Sequence, residues 1–308
     1  MEEEYKYMVF TQCMTFNQAP YIKDALHGFS IQKASFPMVF CVIDDASTDG
    51  EQELLIQWAQ DELALEGKDS CRELDFGERI VAPLKGNTHM LFVILLLSEN
   101  HYGKKNKLPY FAEWREKSKY AAFCEGDDYW IASDKLQKQV AYMESHPQCV
   151  LCYTGFKIVD ENNNPANNRY TPMECFSGNV YDKLLKTNFV QTVTILSRRE
   201  TTGEAQKKCS ERGAKYDYGL FLELSLMGEF GYIPEITSSY RICQESASHS
   251  KSLRKEIKFA LQLQQTNRIY RNLYYKPNNL FKELYHRGII VGKVIVKHFL
   301  HKIIKYKY

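Results

Sequence analysis

The sequence predicts an α/β protein in which helices flank a mostly parallel central sheet. Strand-like apolar runs alternate with helix-like stretches through the first part of the chain, beginning with a strand near Tyr7 and a helix from about Pro20. A second such pair follows, with an almost wholly apolar run at residues 37–43 and a helix at about residues 51–65. This alternation is typical of parallel strands that are covered by the helices connecting them.

The composition changes near residue 246. Beyond this point the sequence is rich in Lys, Arg and His, has helical periodicity and carries few strand signals. We therefore expect an α/β domain over residues 1–245 and a basic, amphipathic helical extension over residues 246–308.

Bulk composition excludes several classes of protein. The chain has 308 residues, 44% of them hydrophobic, and its net charge of +2 argues against a dedicated nucleic-acid-binding protein. The longest apolar run, residues 90–97, is too short to cross a bilayer, and the acidic N-terminus lacks the layout of a signal peptide. Nine cysteines without framework spacing fit a reducing compartment. We expect a cytoplasmic protein.

The individual elements follow from apolar spacing. The first helix should bury Ile22, Ala25, Leu26 and Phe29, which share one face at helical spacing. Further helices are expected over residues 108–119, over residues 133–145 with Ser133 as the cap, and over residues 216–227. Further strands are expected at residues 120–124, 150–153 and 192–196, with an Asn-rich, mobile surface segment or lid at residues 161–168. Periodicity does not decide whether residues 91–97 form a strand or a helical turn.

The most informative stretch is an acidic turn after a buried strand. The apolar run at residues 120–124 ends in Glu125, Gly126, Asp127 and Asp128. Clustered carboxylates repel one another and are costly to desolvate, so packing alone gives no reason for them. Oxygen ligands of this kind suit Mg²⁺ or Mn²⁺, and Gly126 would allow a ligand to approach the backbone closely. The alternative is an acidic turn that only precedes the next helix.

A second acidic loop, with Asp44 and Asp45, follows the strand at residues 37–43. In parallel sheets the ligand site lies beyond the carboxyl ends of the strands, so both acidic loops should face one crevice. One carboxylate set can hold a cation while the other binds a ligand through hydrogen bonds, which suits a nucleotide diphosphate. The basic loop at residues 103–107 either contacts a phosphate, through Lys104 or Lys105, or is merely solvated.

Three segments carry a family resemblance. They are Met-Thr-Phe-Asn at residues 14–17, Val-Ile-Asp-Asp-Ala-Ser-Thr-Asp at residues 42–49 and Cys-Glu-Gly-Asp-Asp-Tyr-Trp at residues 124–130. In order and spacing they resemble the landmark motifs of family 2 glycosyltransferases with the GT-A fold, over about residues 5–245. The resemblance implies metal-assisted, inverting transfer of a sugar, of the hexosyltransferase type, from a nucleotide sugar, UDP-linked in our prediction, to an acceptor hydroxyl. It also implies a role in bacterial surface polysaccharide or lipopolysaccharide assembly, with a glycan or lipid-linked acceptor.

The resemblance implies roles for particular residues on the donor side. Thr15, Phe16 and Asn17 would line the nucleobase and ribose pocket, and Asp45 together with Asp44 would accept hydrogen bonds from the base. Asp127 would bind the metal, with Glu125 and Asp128 beside it, although the family more often has Asp at the position of Glu125. Lys104 or Lys105 would assist the leaving diphosphate.

The acceptor hydroxyl must lose its proton as it attacks, and this requires a base opposite the leaving group. The segment that begins at Tyr216 resembles the base-bearing segment of the family, so we assign the base to Asp217. Glu223 is a weaker candidate. Arg241 and His249 either reach a phosphate or the metal or serve the fold.

Three other functions were weighed. A nucleotidyltransferase of similar fold would need a Gly-rich basic loop after the first strand, but residues 13–20 contain neither Gly nor Lys. A phosphatase with an Asp nucleophile needs a second Asp two residues on, but Ala46 and Ser47 occupy those positions. A non-catalytic glycan-binding relative remains an alternative.

The C-terminal segment, residues 288–308, forms a basic amphipathic pattern. Its apolar residues Ile295, Val296, Phe299, Leu300 and Ile303 recur at helical spacing, and lysines occupy much of the opposite side. The pattern predicts peripheral binding to an anionic membrane surface, at the inner face of the cell membrane. The alternative is a helix docked on its own domain or on a second copy in a homodimer.

Overall fold

The computed structural model describes residues 5–66, 71–166, 174–243, 252–275 and 280–305. Within these ranges the strands are β1 (Tyr7–Thr15), β2 (Met38–Asp44), β3 (Cys71–Leu74), β4 (Gly77–Leu84), β5 (Asn87–Leu97), β6 (Ser118–Phe123), β7 (Tyr129–Trp130), β8 (Cys149–Val159), β9 (Ile195–Arg198) and β10 (Glu229–Arg241). The helices are α1 (Ile22–Ser30), α2 (Glu51–Glu62), α3 (Ala112–Arg115), α4 (Lys135–Ser145), α5 (Tyr181–Leu184), α6 (Arg199–Arg212), α7 (Tyr216–Met227), α8 (Leu253–Tyr274) and α9 (Leu280–Lys305).

The strands form one mixed sheet in the order β3-β4-β5-β2-β1-β6-β9-β8-β10-β7. Its centre is parallel, because β2 pairs with β1 and β5, and β1 also pairs with β6, all in the same direction. Every residue of β2 is buried, as expected for a parallel strand with helices on both faces. The predicted α/β class with a mostly parallel, helix-flanked sheet is confirmed.

Apolar side chains cover both faces of the sheet. On one face, α1 places Phe29 against Phe40 of β2, with ring centroids 5.4 Å apart, and α4 adds Leu136. On the other face, Phe10 of β1 meets Phe111, and α7 adds Phe221. The predicted inner face of the first helix is correct, since Ile22, Ala25, Leu26 and Phe29 are all fully buried.

The stretch that periodicity left open, residues 91–97, is part of strand β5. This strand pairs in parallel with β2 and antiparallel with β4, so an antiparallel β3-β4-β5 unit forms one edge of the sheet. A strand that is buried on both faces has no alternation of apolar and polar residues, and this is why the sequence pattern could not identify it.

Three local predictions were wrong in detail. The helix predicted to start at Ser133 starts at Lys135 with Asp134 as its N-cap residue, and neither the predicted cap nor Asp134 caps it through a side chain. The strand predicted at residues 192–196 is a 3-10 turn, Thr192–Thr194, followed by β9. The helix predicted over residues 108–119 is reduced to a 3-10 turn, Leu108–Phe111, and the short α3, because Ser118 already belongs to β6. Residues 160–166 form an ordered turn closed by hydrogen bonds to Asp160, and residues 167–168 of the predicted loop lie outside the described ranges.

The C-terminal helices pack against each other and on the rest of the protein. His298 near the end of α9 lies 3.0 Å from Glu256 near the start of α8, so the two helices form an antiparallel hairpin. Helix α8 also contacts α7, and Tyr270 of α8 is fully buried. In the described part of the chain, no helix is both long and apolar enough to span a membrane. The division at residue 245 stays a prediction.

Candidate active site

The loops that follow β5, β2, β1 and β6 meet at one edge of the sheet. These four strands are neighbours and run in the same direction, so their carboxyl ends lie side by side. Backbone bonds continue beyond the strands, with the amide of Asp45 donating to the carbonyl of Thr15 over 3.0 Å and the amide of Gly126 to that of Met14 over 3.2 Å. Both acidic loops therefore leave the sheet next to the end of β1.

A buried glutamate that the sequence analysis missed, Glu51, joins two of these loops. Its carboxylate accepts hydrogen bonds from the Thr15 hydroxyl, from the backbone amide of Gln18 over 2.8 Å and from the Ser47 hydroxyl over 2.9 Å. Burial raises the pKa of Glu51, and the bond from Thr15 counteracts part of that rise. The predicted nucleotide-binding residue Thr15 is thus itself buried, with its hydroxyl used inside the protein.

Asn17 and Phe16 stand at the outer end of this network. Asn17 has a positive φ of 54°, and it joins the two loops because its amide donates to Ser47 over 2.8 Å and its side chain accepts from the amide of Thr48 over 2.8 Å. Asn tolerates this left-handed conformation better than most residues. Phe16 is 45% exposed, so its ring is available for stacking.

The two aspartates at the end of β2 have different surroundings. Asp44 is fully buried, and its Oδ1 accepts from the Ser47 amide over 2.9 Å and from the Gln52 side chain over 2.6 Å. Asp45 accepts from the His101 amide over 2.7 Å and forms an ion pair with Lys107 over 2.6 Å. Asp45 is therefore the one of the two that adjoins the loop after β5.

The lysine at the site is Lys107 rather than the predicted Lys104 or Lys105. The side chain of Lys107 is only 12% exposed, whereas that of Lys105 is 54% exposed and is paired with Glu99 at the surface. Lys107 also lowers the pKa of Glu125, so its charge lies between Asp45 and the acidic turn. A run of closely spaced lysines does not reveal from sequence which of them points inward, and this is why Lys107 was missed.

The acidic turn is packed directly against the end of β1. A Cβ atom added at Gly126 would collide with the Thr15 side chain and with the Gln18 carboxamide, so only glycine fits here. Gln18 also hydrogen-bonds to Asp127 and accepts a bond from the Thr15 hydroxyl over 2.9 Å. Gly126 was predicted to allow a ligand to approach the backbone closely. In the structure it is the end of β1 that makes this close approach.

Asp128 faces a different part of the fold. It is buried, and its Oδ1 accepts from the backbone amide of Arg241 over 2.8 Å. The Arg241 guanidinium is fully buried, pairs with Asp24 over 2.6 Å and lies over the rings of Tyr21 and Tyr129. Arg241 therefore serves the fold, which was one of the two alternatives considered, while His249 lies outside the described residues.

Asp217 reaches the acidic turn from the far side of the crevice. Strand β9 runs antiparallel to β6, so the 3-10 turn before β9 lies near the point where β6 ends. Thr192 in that turn donates a hydrogen bond of 2.7 Å to Oδ2 of Asp217. Asp217 is accessible to solvent, yet protein surrounds it closely enough that desolvation raises its pKa, as at the wall of a crevice.

The backbone before Asp217 is strained and is held by α8. Tyr216 has a φ of 61°, which is uncommon for a bulky residue. Its hydroxyl donates to Gln262 over 2.6 Å, its ring packs on Phe259 at 4.6 Å, and the amide of Lys215 donates to Thr266 over 2.9 Å. The alternative base, Glu223, lies on the buried side of α7 and is paired with Arg212 over 3.0 Å.

Three carboxylates share the crevice. Burial, and after it the charges of Asp217 and Asp127, raise the pKa of Glu125 to about 8. Burial likewise raises the pKa of Asp127. These shifts mean that Glu125 lies within electrostatic reach of both Asp127 and Asp217.

A divalent cation fits this electrostatic situation. In the described ranges no three His, Cys, Asp or Glu side chains form a ready metal-binding group. Sites for Mg²⁺ and similar ions on nucleotides commonly use one or two carboxylates, the remaining ligands being phosphate oxygens and water. Asp127 and Glu125 are two desolvated oxygen donors of the required kind, so the residues present fit a cation that arrives with a phosphorylated substrate.

Solved structures with this fold are found among glycosyltransferases. TarS of Staphylococcus aureus, residues 1–349 in complex with UDP-GlcNAc, aligns over 95% of this chain and 72% of its own with a TM-score of 0.53 and 14% identity. The mannosyltransferase PcManGT of Pyrobaculum calidifontis, in complex with GDP-Man and Mn²⁺, aligns over 93% of this chain and 70% of its own with a TM-score of 0.52 and 16% identity. The chain has the GT-A glycosyltransferase fold. The predicted resemblance to this group is thus confirmed, and at these identities it is the fold that is shared.

Sequence relatives point in the same direction. The putative teichuronic acid biosynthesis glycosyltransferase TuaG of Bacillus subtilis is 27% identical over 241 residues, which cover 77% of this chain and 80% of TuaG. An uncharacterised protein of Mycobacterium tuberculosis is 26% identical over 237 residues. The matched region is 59% of the mycobacterial protein's length. No family model matches the chain.

Proposed function

We propose that this GT-A protein is an inverting, hexosyltransferase-type glycosyltransferase that uses a nucleotide-diphosphate sugar, UDP-linked in our proposal. The observation that carries the proposal is the position of Glu125 in the crevice, where it lies within electrostatic reach of both Asp127 and Asp217 and of Lys107, the ion-pair partner of Asp45. Such a crevice has one place for a cation with a diphosphate and another for a base. The names of TarS, PcManGT and TuaG support the same class of reaction.

On the donor side, the loops tied together by Glu51 and Asn17 form a rigid frame for the nucleotide. The exposed Phe16 ring is suited to stack on the base, with Asn17 and Asp45 beside the base and ribose. Thr15 and Asp44 act through this frame rather than by contact, since both are buried. Lys107 is close enough to Glu125 to contact the diphosphate. A bound donor would compete with Asp45 for the charge of this lysine.

Asp127 and Glu125 would hold Mn²⁺ or Mg²⁺, with Asp128 fixing the turn through its bond to the Arg241 amide. When bound, such an ion acts as a Lewis acid that neutralises the charge developing on the leaving diphosphate. The protein's own part is to keep these carboxylates desolvated and close together, which makes an arriving cation strongly favoured.

On the acceptor side, Asp217 removes the proton from the attacking hydroxyl. The acceptor oxygen forms a bond to the anomeric carbon as the bond from that carbon to the phosphate oxygen breaks, and attack opposite the leaving group inverts the anomeric centre. Thr192 orients the carboxylate, and desolvation raises the pKa of Asp217 towards a value better suited to a general base. A sugar or glycan hydroxyl is the acceptor in this proposal.

The test is a screen of UDP- and GDP-linked sugars with Mn²⁺ or Mg²⁺, in which release of the nucleoside diphosphate and of the transferred sugar are both measured. Asp217→Asn should lower transfer by about 10²–10⁴-fold while donor affinity stays within twofold, because only proton removal is lost. Asp61→Asn, an exposed carboxylate on α2, is the matched control and should retain full activity. Near-normal transfer by Asp217→Asn would remove the base assignment.

The same screen separates the alternatives. A nucleotidyltransferase would release pyrophosphate from a nucleoside triphosphate, and a glycan-binding relative would turn over no donor. In the loop at residues 16–21, between β1 and α1, three backbone amides already donate hydrogen bonds to Ser47, Asp49 and Glu51. This loop contains neither lysine nor glycine with which to hold a triphosphate. The geometry therefore favours neither alternative.

We further propose that the acceptor is lipid-linked and belongs to surface polysaccharide or lipopolysaccharide assembly, so that the enzyme works at the inner face of the cell membrane. Helix α9 supports this idea because Tyr285, Ile289 and Val296 are exposed along it. A homodimer that covers these side chains is the competing arrangement. Vesicle binding and oligomeric state, measured on the full chain, distinguish the two.

A further inference from the structure

The hairpin of α8 and α9 contains a cavity outside the active site. Its volume is about 210 Å³, which is below the 300–1,000 Å³ of sites for drug-sized molecules and suits a single small group. It is lined by Gln264, Gln265, Asn267, Arg268, Arg271, His286, Arg287 and Ile290.

The chemistry of this lining favours an anion. Three arginines and a histidine come from two helices, the carboxamides of Gln264 and Gln265 add neutral donors, and no carboxylate is among the lining residues. Arginine presents several N–H donors in a planar fork that matches the oxygens of a phosphate group. Because Arg271 lies on α8 and Arg287 on α9, the two sides of the cavity would both contact one bound phosphate.

The surface of α9 next to the cavity indicates where the phosphate comes from. Tyr285, Ile289 and Val296 are exposed and recur at intervals of four and seven residues, so they lie on one line along the helix. His286 and Lys293, which are seven residues apart, share a second line about 70° round the helix from the first, and His286 belongs to the cavity lining. An apolar line beside a cationic line is the arrangement of a helix that lies in the interfacial region of a bilayer.

We propose that this cavity binds the phosphate group of an anionic membrane lipid while the apolar line of α9 contacts the acyl region. This deepens the membrane association put forward under the proposed function by assigning it a specific site. Asn267 links the site to catalysis, since its side chain lines the cavity and also donates to the Tyr218 hydroxyl over 2.7 Å, beside Asp217. A lipid bound here would hold the acceptor side of the enzyme at the membrane surface.

The test is co-sedimentation of the full chain with phosphatidylcholine vesicles prepared with and without phosphatidylglycerol. The double variant Arg271→Gln, Arg287→Gln should bind the anionic vesicles about thirtyfold more weakly than the unmodified protein, since each basic residue at such a surface contributes about a fivefold factor. The control Lys255→Gln, Lys258→Gln makes the same charge change on α8 outside the cavity lining and should cost about threefold or less.

Three results would overturn the proposal. The first is an equal loss of binding in the two double variants, and the second is that the unmodified protein binds anionic vesicles no better than neutral ones. The third is thermal stabilisation by inorganic phosphate without vesicle binding, which would indicate a soluble anion instead. If the glutamine variant does not fold, Arg271→Lys, Arg287→Lys should keep most of the binding, and single variants replace the double. Turnover of a soluble acceptor, measured on the same samples, separates failure of this site from failure of the proposed reaction.

Discussion

The two halves of the crevice are built in opposite ways. On the donor side, around Glu51 and Asn17, hydrogen bonds within the protein connect two loops into one frame. On the side of the chemistry, Glu125, Asp127 and Asp217 are brought together with little compensating charge, and the pKa of each is raised by burial. Under the proposed function, the frame for the nucleotide is complete in the free protein, whereas the half that carries the chemistry would be electrostatically complete only with a cation and a donor.

The largest effect is expected from removing a carboxylate on the chemical side. Asp127→Ala should abolish metal-dependent donor binding and lower transfer by about a thousandfold or more, since the cation loses a principal ligand and the leaving group its compensation. Titration of the donor by calorimetry, with and without Mn²⁺, measures this. Asp134→Ala, an exposed carboxylate at the start of α4, is the control. Undiminished metal-dependent binding of the donor would show that Asp127 is not a ligand of the cation and that the two halves of the crevice do not differ in this way.

On the donor side a substitution should cost stability more than chemistry. Glu51→Ala leaves the Ser47 hydroxyl and the Gln18 amide without their acceptor, and we expect a loss of about 2–4 kcal/mol in the free energy of unfolding. Chemical denaturation gives the number. Glu53→Ala, which is exposed on the same helix, should change stability by less than about 0.5 kcal/mol. Equal effects of the two substitutions would argue that the frame is not held by Glu51.

A buried lysine beneath the chemical side should make stability depend on pH. Lys135 is fully buried, bonds to Gln139 and to the carbonyl of Thr194, and desolvation lowers its pKa to about 7. The unfolded chain keeps the ordinary value of 10.5. The folded state binds this proton more weakly than the unfolded chain does. Burial of the charged lysine therefore lowers the free energy of unfolding by its full amount below pH 7. This loss is relieved as the pH rises towards 10.5, by a few kcal/mol in total.

Lys135→Met should remove this slope. Comparison of unfolding free energies from pH 7 to pH 9.5 should show the unmodified protein gaining stability relative to the variant. Lys138→Met on the same helix, whose side chain is at the surface and paired with Glu235, is the control. A difference between unmodified and Lys135→Met protein that is constant across this range would contradict the assignment.

A smaller effect is expected where the two halves touch. Gly126→Ala places a methyl group against Thr15 and Gln18, and the overpacking should cost about 1–3 kcal/mol and weaken donor binding. Gly292→Ala in α9 has no neighbour within 4 Å of the added atom and should be neutral or stabilise by up to about 1 kcal/mol. Thermal unfolding with and without UDP checks both, and equal behaviour of the two variants would mean that the contact at Gly126 is unimportant.

Elements with a clear period could be predicted from the sequence. The buried face of α1 was predicted correctly because its apolar residues recur at helical spacing. The predicted bounds of α7, residues 216–227, also match the structure. Strand β5 was left undecided, since a strand buried on both faces has no period, and the antiparallel β3-β4-β5 edge was not foreseen. The fold was predicted from the resemblance of three short motifs. None of these motifs determines the order of the strands after β6.

The roles assigned to the candidate site residues stay predictions. The structure places Glu125 within electrostatic reach of Asp127 and Asp217. Packing decides which lysine faces inward and which oxygens already accept hydrogen bonds within the protein. The sequence does not show this, and so Lys104 and Lys105 were chosen instead of Lys107. Glu51 was missed because a glutamate in the first turn of a helix is ordinarily a solvated residue that interacts with the helix dipole.

The attachment of α8 to the segment that carries Asp217, the proposed base, means that the C-terminal hairpin is not a detachable tail. Gln262, Phe259 and Thr266 hold Tyr216 and Lys215 in place, and Tyr216 sits in a conformation it would not adopt alone. A chimaera that exchanged this hairpin for that of a relative would alter reactivity as well as location. Natural variants should therefore change these two helices together with the loop they brace, as one inherited unit.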